Sequence, residues 1–205
     1  MNRCLICFKS IEETLNKTFV CKKCLSKFNS INKIYYYQGI EIFILYEYND
    51  FFRELLYRFK GCYDLELKNA FFNNNLLMLK RKYKHRKIIC APSYFQDDEK
   101  RGFNHVKEIS KLLNLKIIDC AIKTKKYKQS GKKMNQRSEV QKVIKIDKTK
   151  INNNDRLLIV DDVSTSLSTI KSIIHSLPTK NDIKVLILAS NCRFMENEKN
   201  WISRI

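Results

Sequence analysis

The sequence predicts an α/β protein, in which a mostly parallel sheet with helices on both faces follows a small cysteine-rich ribbon. Short apolar runs with many branched side chains predict the sheet, because strands buried on both faces read as continuous hydrophobic segments. Two CxxC pairs near the start of the chain predict the ribbon. We therefore place a ribbon at residues 1–32 and an α/β domain at residues 33–205.

Length and charge limit the possible functions. The chain has 205 residues, enough for a sizeable core, and a formal net charge of +19. Such a charge indicates an anionic partner, either nucleic acid or a membrane surface. The alternative is a compositional bias, because Lys is abundant together with Asn and Ile. Much of the excess charge would then be solvated surface.

The sequence shows no pattern of membrane insertion or export. No run approaches the ~20 apolar residues of a membrane span, and the N-terminus lacks the apolar core of a signal peptide. We therefore expect a soluble protein in the reducing cytoplasm. Cys62, Cys90, Cys120 and Cys192 are scattered, and we interpret them as small buried hydrophobes rather than disulfide partners.

The ribbon contains the strongest local motif. Cys4, Cys7, Cys21 and Cys24 form two CxxC knuckles with thirteen residues between them. Four thiolates in two tight pairs suit a tetrahedral structural zinc ion, which would stabilise a segment with little apolar mass. No coordination position would remain open, so we expect no zinc catalysis. The alternative, a pair of redox motifs, fits less well because neither CxxC begins a recognisable βαβ helix.

Hydrophobic periodicity and capping residues define the elements of the α/β domain. One or two strands are expected around Gly39, in the aromatic stretch at residues 34–48. The other strands are expected near residues 88–91, 115–122, 157–160 and 183–189. Helices are expected at residues 50–59, 64–79 and 170–177, and from Asn104 onwards.

Two basic segments are candidate nucleic-acid contacts. Residues 80–87, KRKYKHRK, carry six formal positive charges and no acid. They would contact phosphates with Tyr83 available to stack on a base, whereas the alternative is a solvated helix end with His85 at the surface. Residues 123–138 form a long basic loop, and loops of this length are often functional. The candidate contacts are Lys80, Arg81, Lys82, Tyr83, Lys84, Arg86, Lys87, Lys125, Lys126 and Lys128.

Residues 157–169, LLIVDDVSTSLST, predict a ligand site. A buried strand at residues 157–160 leads into Asp161 and Asp162, and a hydroxyl-rich turn and a helix follow. Ligands of open α/β sheets bind at the carboxyl ends of strands, and the N–H groups of a helix N-terminus can hold a phosphate. Carboxylates accept from sugar hydroxyls or hold Mg²⁺ through water. The order therefore predicts a phosphosugar site; a buried strand with a polar turn and a helix cap is the alternative.

This stretch resembles the signature of type I phosphoribosyltransferases, which bind phosphoribosyl pyrophosphate (PRPP). The resemblance implies that Asp161 and Asp162 hold the ribose and that the loop holds the 5′-phosphate. The family usually has Gly where this chain has Leu167, and Leu at positive φ is strained. The implied PRPP-binding residues are Asp161, Asp162, Ser164, Thr165, Ser166, Leu167, Ser168, Thr169 and Arg101.

Four motifs, in order along nearly the whole chain, resemble the ComF competence-protein family. They are CLIC…CKKC, LLYRFKGCYDLEL, RGFNH and LLIVDDVSTSLST. The departures from the family pattern are His105 for Gln, Leu167 for Gly and Glu139 for Asn. The resemblance implies a zinc ribbon followed by a type I phosphoribosyltransferase-like α/β domain, with Arg101 to Asn104 and the basic loop bordering the pyrophosphate side of the pocket.

The ComF resemblance implies a protein of natural transformation that handles imported single-stranded DNA. It would act in the cytoplasm, at the cytoplasmic face of the inner membrane, with an ATP-driven DNA translocase and a membrane channel. PRPP or a related phosphosugar would occupy a regulatory or vestigial pocket.

Two other hypotheses remain open. One is an active phosphoribosyltransferase that transfers ribose 5-phosphate from PRPP to a nitrogen acceptor. Asp161 and Asp162 would then be catalytic, and Mg²⁺ would neutralise the leaving pyrophosphate. The sequence contains no recognisable base-binding element and does not name the acceptor. The other hypothesis is an adaptor, whose ribbon and aromatic segment dock partner proteins.

Overall fold

The computed structural model describes residues 3–11, 19–124, 144–178, 180–191 and 202–204. Within these residues, six strands form one sheet and two short strands form a second. The strands are β1 (Ser30–Tyr37), β2 (Ile40–Glu47), β3 (Lys87–Cys90), β4 (Ala121–Lys123), β5 (Ile144–Ile146), β6 (Arg156–Ser164), β7 (Asp182–Ser190) and β8 (Ile202–Arg204). The helices are α1 (Lys22–Leu25), α2 (Asp50–Gly61), α3 (Lys68–Phe71), α4 (Leu76–Lys82), α5 (Phe95–Arg101), α6 (His105–Lys111) and α7 (Ser168–Ser176).

The large sheet has the strand order β3-β6-β7-β2-β1-β8. The neighbours β3/β6, β6/β7 and β7/β2 are parallel, whereas β2/β1 and β1/β8 are antiparallel. The small sheet is the antiparallel pair β4/β5. The predicted α/β fold with a mostly parallel sheet is therefore confirmed.

Side chains on the two faces of the large sheet form two hydrophobic clusters. Along β6, Leu158 and Val160 belong to one cluster, and Leu157 and Ile159 belong to the other. This alternation follows from the two-residue repeat of a strand. Helices α2 and α6 pack in the first cluster and α7 packs in the second, so both faces of the sheet are covered by helices, as the sequence predicted.

Local sequence explains the first elements of the α/β domain. Gln38 and Gly39 both have positive φ, at 50° and 78°. This is the conformation of the two-residue turns that match the twist of a hairpin, so β1 and β2 pair directly. The side chain of Asn49 accepts a hydrogen bond from the backbone N–H of Phe52 at 2.8 Å and caps α2. The strands around Gly39 and the helix at residues 50–59 were predicted.

Two predicted elements differ in the structure. The helical stretch predicted at residues 64–79 is divided into a 3₁₀ turn at Leu65–Leu67 and the helices α3 and α4. Three consecutive asparagines, at residues 73–75, separate α3 from α4, because Asn is a weak helix former that favours turns. The strand predicted at residues 115–122 is a single bridge from Ile117 to Ile88 followed by β4, which joins the small sheet.

The structure also contains a helix, α5, at residues where no helix was predicted. Helix α5 has Asp97 and Asp98 in its first turn and ends at Gly102, which has a φ of 79°. Acidic residues at a helix start and glycine at a helix end are favourable, so the indications were present in the sequence. Residues 125–138 of the predicted basic loop lie outside the described residues.

None of the helices in the described ranges is long and apolar enough to cross a membrane.

Candidate functional site

The acidic pair lies within β6 rather than after it. The strand continues to Ser164, and Asp161 is paired with Ile187 of β7, so the expected end of the strand at residue 160 was wrong. Asp161 and Asp162 are 8% and 6% exposed. The backbone N–H of Asp162 donates to the Asp161 carboxylate at 2.9 Å. Both carboxylates are therefore held in a largely desolvated position near the carboxyl end of a parallel strand.

Two side chains from neighbouring helices hold Asp162. Lys60, at the end of α2, forms an ion pair with Asp162 Oδ2, and His105 Nε2, at the start of α6, lies 3.3 Å from the same oxygen. Asp162 shares the face of Leu158 and Val160, the face that α2 and α6 cover. The strand alternation thus directs this carboxylate to its two partners.

The two carboxylates have opposite pKa shifts. Burial and the adjacent negative charge of Asp162 raise the pKa of Asp161 well above its usual range. Burial also disfavours the charged form of Asp162, but the Lys60 ammonium and the hydrogen bond from His105 outweigh it and hold the pKa of Asp162 well below its usual range. Asp162 is therefore the carboxyl that keeps its negative charge most readily, and Asp161 is the carboxyl that retains a proton most readily.

His105 is held in one tautomer by its neighbours. Its Nδ1 lies 3.2 Å from Arg101 Nη1, and arginine can only donate, so Nδ1 accepts and Nε2 carries the proton. Burial lowers the pKa of His105, although the hydrogen bond to Asp162 acts in the opposite direction. A neutral imidazole thus presents its Nε2–H to Asp162 Oδ2, 3.3 Å away.

Arg101, an expected PRPP-binding residue, is largely engaged with protein groups. Its Nη1 donates to Asp98 Oδ1 at 2.8 Å, and its Nε donates to the backbone carbonyl oxygen of Lys60 at 3.1 Å. Asn104 Nδ2 donates to Asp98 Oδ2 at 2.7 Å. These bonds tie α5 and α6 to the end of α2, which positions the partners of Asp162.

A cavity of about 340 Å³ lies against the acidic pair. Its volume falls within the range of small-ligand pockets. Both carboxylates line it, together with both partners of Asp162. The other lining residues are Ala91, Pro92, Ser93, Tyr94, Asp97, Arg101, Val106, Lys123, Val163 and Thr169.

The hydroxyl loop, residues 164–169 at the end of β6, is anchored in the hydrophobic core by Leu167. This residue has a φ of 53°, in the left-handed region, and its side chain is 1% exposed in the second hydrophobic cluster. Its backbone N–H donates to Ser164 Oγ at 3.1 Å. The left-handed conformation costs a non-glycine residue roughly 1–2 kcal/mol, which the burial of the leucine side chain offsets.

The loop residues are not equally placed for a ligand. Thr165 and Ser166 are exposed, Ser164 is buried, and Ser166 Oγ donates to Ser168 Oγ at 3.1 Å. Thr169 lines the cavity beside the acidic pair. The sequence-predicted loop therefore meets the predicted carboxylates in one place, chiefly through Thr169.

The four N-terminal cysteines form a candidate metal centre. The Sγ atoms of Cys4, Cys7, Cys21 and Cys24 all lie within 4.8 Å of one another, and the described cysteines are free thiols. The Cys7 and Cys21 Sγ atoms are 3.7 Å apart. Tetrahedral zinc with Zn–S bonds of about 2.3 Å requires about 3.8 Å between sulfurs. The donor set and its spacing therefore fit a metal ion such as zinc.

Backbone donors favour a thiolate at Cys4. Burial acts to raise the pKa of Cys4, but backbone N–H groups, that of Cys21 first, lower the pKa to about 6. The Cys21 N–H lies 3.4 Å from Cys4 Sγ. A deprotonated sulfur is the form that ligates a metal ion.

The structure corrects two residues of the basic patch at 80–87. Tyr83 is fully buried in the first hydrophobic cluster, so its ring cannot stack on a base. Arg86 is 4% exposed and donates to the Leu157 carbonyl oxygen at 3.0 Å and to Asp182 Oδ2 at 2.7 Å. Both were expected to contact nucleic acid, and both instead hold the sheet and the helices together.

The remaining basic residues of the patch differ in availability. Lys82 pairs with Glu41 at 2.9 Å, and Lys87 pairs with Asp155 at 2.6 Å, so these two ammonium groups have internal partners. Arg81 and Lys84 are exposed, as is His85, and Lys80 is half-buried. The candidates Lys125, Lys126 and Lys128 lie outside the described residues.

Sequence reasoning missed Lys60 and His105 as partners of the acidic pair. Both lie in segments that the sequence analysis had singled out, LLYRFKGCYDLEL and RGFNH, but no local pattern indicates that these segments meet β6. Their contacts with Asp162 depend on the packing of α2 and α6 against the sheet.

Comparison with known proteins gives one curated relative. No family model matches the chain. The competence protein ComFC of Bacillus subtilis strain 168 is 31% identical over 132 residues, which are 62% of this chain and 53% of the relative. The chain thus spans about half the length of the curated relative that it matches.

Several solved phosphoribosyltransferases are weakly similar in structure. A hypoxanthine phosphoribosyltransferase from Staphylococcus aureus has a TM-score of 0.38 at 15% identity, over 61% of this chain and 62% of that protein. Adenine phosphoribosyltransferase from Saccharomyces cerevisiae has a TM-score of 0.40 at 12% identity, over 84% of this chain and 90% of that protein. At these scores, the similarity is not evidence for an activity of this chain.

Proposed function

We propose that this chain, whose similarity to ComFC supports its placement in the ComF family, is a competence protein that handles imported single-stranded DNA and binds PRPP or a related phosphosugar. One observation carries the phosphosugar part of this proposal. Two buried carboxylates with opposite pKa shifts line a cavity of about 340 Å³ near the carboxyl end of a parallel strand. Ligands of open α/β sheets bind at this end.

The pair suits the hydroxyls of a ribose. Asp162 would accept hydrogen bonds, because its charge is retained by Lys60 and His105. Asp161, whose pKa is raised, can both donate and accept when it is protonated. The Thr169 hydroxyl and the N-terminus of α7 would receive the 5′-phosphate. Mg²⁺ would enter with PRPP and neutralise its pyrophosphate oxygens.

The pocket geometry favours binding over catalysis. Transfer of ribose 5-phosphate develops positive charge on the sugar, which a free carboxylate would stabilise. The charge of Asp162 is already paired with the Lys60 ammonium. We therefore propose a regulatory pocket and keep phosphoribosyl transfer as the alternative. Release of pyrophosphate from PRPP with a purine or pyrimidine base present would support the alternative.

The other parts of the proposal rest on charge and on the relative. The cysteine cluster would hold a structural zinc ion. Exposed Arg81 and Lys84, with half-buried Lys80, would contact the phosphates of single-stranded DNA, in keeping with the net charge of +19. A place in the cytoplasm, at the inner face of the inner membrane, and a translocase and a membrane channel as partners, are further proposals.

Titration calorimetry with PRPP and Mg²⁺ on the zinc-loaded protein tests the pocket. We expect the parent to bind PRPP and the Asp161→Asn/Asp162→Asn protein to bind it about 100-fold more weakly. The reason is that the hydrogen bonds of both side chains to the ribose, including those to charged Asp162, are weakened. The matched control is Asp50→Asn/Glu54→Gln, which likewise replaces two acidic side chains by amides, but on the exposed side of α2. Equal affinity in the parent and the acidic-pair variant would show that the phosphosugar does not bind there.

A further inference from the structure

The last turn of α2 contacts both the cysteine cluster and the acidic pair. Arg58 and Lys60 are two residues apart in this turn, and helical residues at that spacing point in nearly opposite directions. The Arg58 side chain reaches the first cysteine knuckle, and the Lys60 side chain reaches Asp162. One helical turn therefore connects two sites that are far apart in sequence.

Arg58 holds the backbone of the knuckle. Its Nη1 donates to the carbonyl oxygen of Ile6 at 2.9 Å, and its Nη2 lies 3.4 Å from the carbonyl oxygen of Leu5. These two residues lie between Cys4 and Cys7, so the acceptors are in place only while the knuckle keeps its shape. Nη2 also donates to Asp64 Oδ2 at 3.2 Å, which orients the guanidinium.

Lys60 acts on Asp162 by two routes. Its ammonium group forms the ion pair with the carboxylate. Its backbone carbonyl oxygen accepts from Arg101 Nε at 3.1 Å, and Arg101 in turn contacts His105, the second partner of Asp162. A shift of the end of α2 would thus disturb both partners of this carboxylate together.

We propose that Arg58 is a positioning residue through which the folded cysteine knuckle fixes Lys60, and with it the acidic pair. This inference rests on the proposed function for its ligand, PRPP, and goes beyond it by giving the cysteine cluster a regulatory role in the pocket. A bound metal supplies the rigidity of the knuckle. When the knuckle loosens, Arg58 loses two carbonyl acceptors, and the last turn of α2 is no longer fixed at that side.

Two measurements on the zinc-loaded protein test the coupling. One is the affinity for PRPP with Mg²⁺, and the other is the imidazole ¹⁵N NMR signal of His105, identified by its absence in His105→Gln. For Arg58→Ala we expect a five- to tenfold weaker affinity, a typical size for coupling between sites, and a shifted His105 signal. The matched control is Arg53→Ala, on the same helix, whose partner Asp50 is an exposed residue at the start of that helix. This control should match the parent in both measurements.

A chelator provides the decisive comparison. Removal of the metal should shift the His105 signal of the parent as Arg58→Ala does, and should add little in the Arg58→Ala protein, because the coupling has already been removed. If Arg58 only stabilised the fold, the shifts of the His105 signal caused by the chelator and by Arg58→Ala would add.

The outcomes separate the inference from the proposed function. If the parent does not bind PRPP, the proposed pocket fails, and the His105 signal alone decides the coupling. If Arg58→Ala leaves both the affinity and the His105 signal as in the parent, the coupling is overturned. Should Arg58→Ala fail to fold, Asp64→Asn, which loosens the guanidinium without removing it, takes its place under the same criteria.

Discussion

At the scale of single residues, His105 gives the pocket an ionisable group whose pKa is lowered from its usual value of 6.5 by burial. The ComF pattern has Gln at this position, and a Gln amide could also donate to Asp162 but could not change its charge. Burial lowers the pKa of His105, and the positive charges of Lys60 and Arg101 lower it further. Only above this pKa can Nδ1 accept from Arg101 while Nε2–H faces Asp162.

We predict that the stability of the parent falls more steeply on acidification than that of His105→Gln. The folded-state pKa of His105 is depressed from 6.5, so its contribution to stability is present above pH 6.5 and is lost as the pH falls through the folded-state value. Urea unfolding at pH 8, 6.5 and 5 would measure this, with each protein referred to its own value at pH 8. Parallel curves for the two proteins would contradict the prediction. His175→Gln, at an exposed position, is the control.

Residue-level prediction succeeded where a family pattern named a position. The substitution of Leu for Gly at residue 167 led to the expectation of strain at a positive φ, and the structure has φ of 53° there. The acidic pair and Thr169 line one cavity, and their role in ligand binding stays a prediction. Lys60 was not predicted as a partner of Asp162, because that contact depends on how α2 packs on the sheet.

At the scale of elements, the segment between α4 and β3 is built around a buried arginine. Arg86 joins the carbonyl oxygen of Leu157 at the start of β6 to the carbonyl oxygen and the carboxylate of Asp182 at the start of β7. Local charge suggested a uniform basic surface. Basic residues at 80–87 are instead partly buried and partly exposed, because the chain passes from helix α4 to strand β3 within this segment.

We predict that Arg86→Ala lowers the free energy of unfolding by about 2–3 kcal/mol, since buried carbonyl groups lose a charged donor. It should leave the salt dependence of single-stranded DNA binding unchanged. Arg81→Ala/Lys84→Ala should leave the free energy of unfolding unchanged. It should reduce the slope of log K for single-stranded DNA against log salt by about 1.4, which is about 0.7 for each lost phosphate contact. Denaturant unfolding and fluorescence anisotropy across a salt series would measure both. An unchanged slope in the double variant would remove these residues from the DNA surface.

Element prediction worked best for strands buried on both faces. The strands near 88–91, 157–160 and 183–189 were found, although β6 extends to Ser164 because polar residues continue its pairing with β7. The prediction of a strand at residues 115–122 was wrong, because this segment is not one continuous strand. Ile117 forms a bridge to the large sheet, whereas the residues of β4 pair within the small sheet. Hydrophobic alternation alone does not show whether an extended segment pairs with a strand of the sheet or lies beside the sheet as a loop.

At the scale of the whole molecule, the cysteine ribbon and the α/β domain share a hydrophobic cluster. Cys4, Cys24 and Phe28 are buried in the same cluster as Phe52 of α2 and Leu158 of β6. The division of the chain at residue 32 stays a prediction, and β1 begins two residues earlier, at Ser30. The metal centre is therefore expected to affect the stability of more than its own segment.

We predict that removal of the metal with a strong chelator lowers the free energy of unfolding of the whole chain by at least about 3 kcal/mol, a fraction of the roughly 10–16 kcal/mol that zinc provides in isolated fingers. Thermal unfolding followed by far-ultraviolet circular dichroism would report on the helices and the sheet together. Cys62 was expected to be buried but is exposed and lies outside the cluster, so Cys62→Ser should keep the parent's response to the chelator. A main transition that does not move would show an independent ribbon.

The buried side chain of Leu167 has a consequence for how the hydroxyl loop meets a ligand. A loop with glycine at this position could take many shapes, and a ligand would have to restrict it to one. Here the loop has already lost much of that freedom during folding, because its central residue is part of the core. The loop is thus preorganised, and binding need not order it. Changes in the core beneath the loop, such as a smaller side chain at Ile170 of α7 in the same hydrophobic cluster, would then alter ligand affinity without touching any ligand contact.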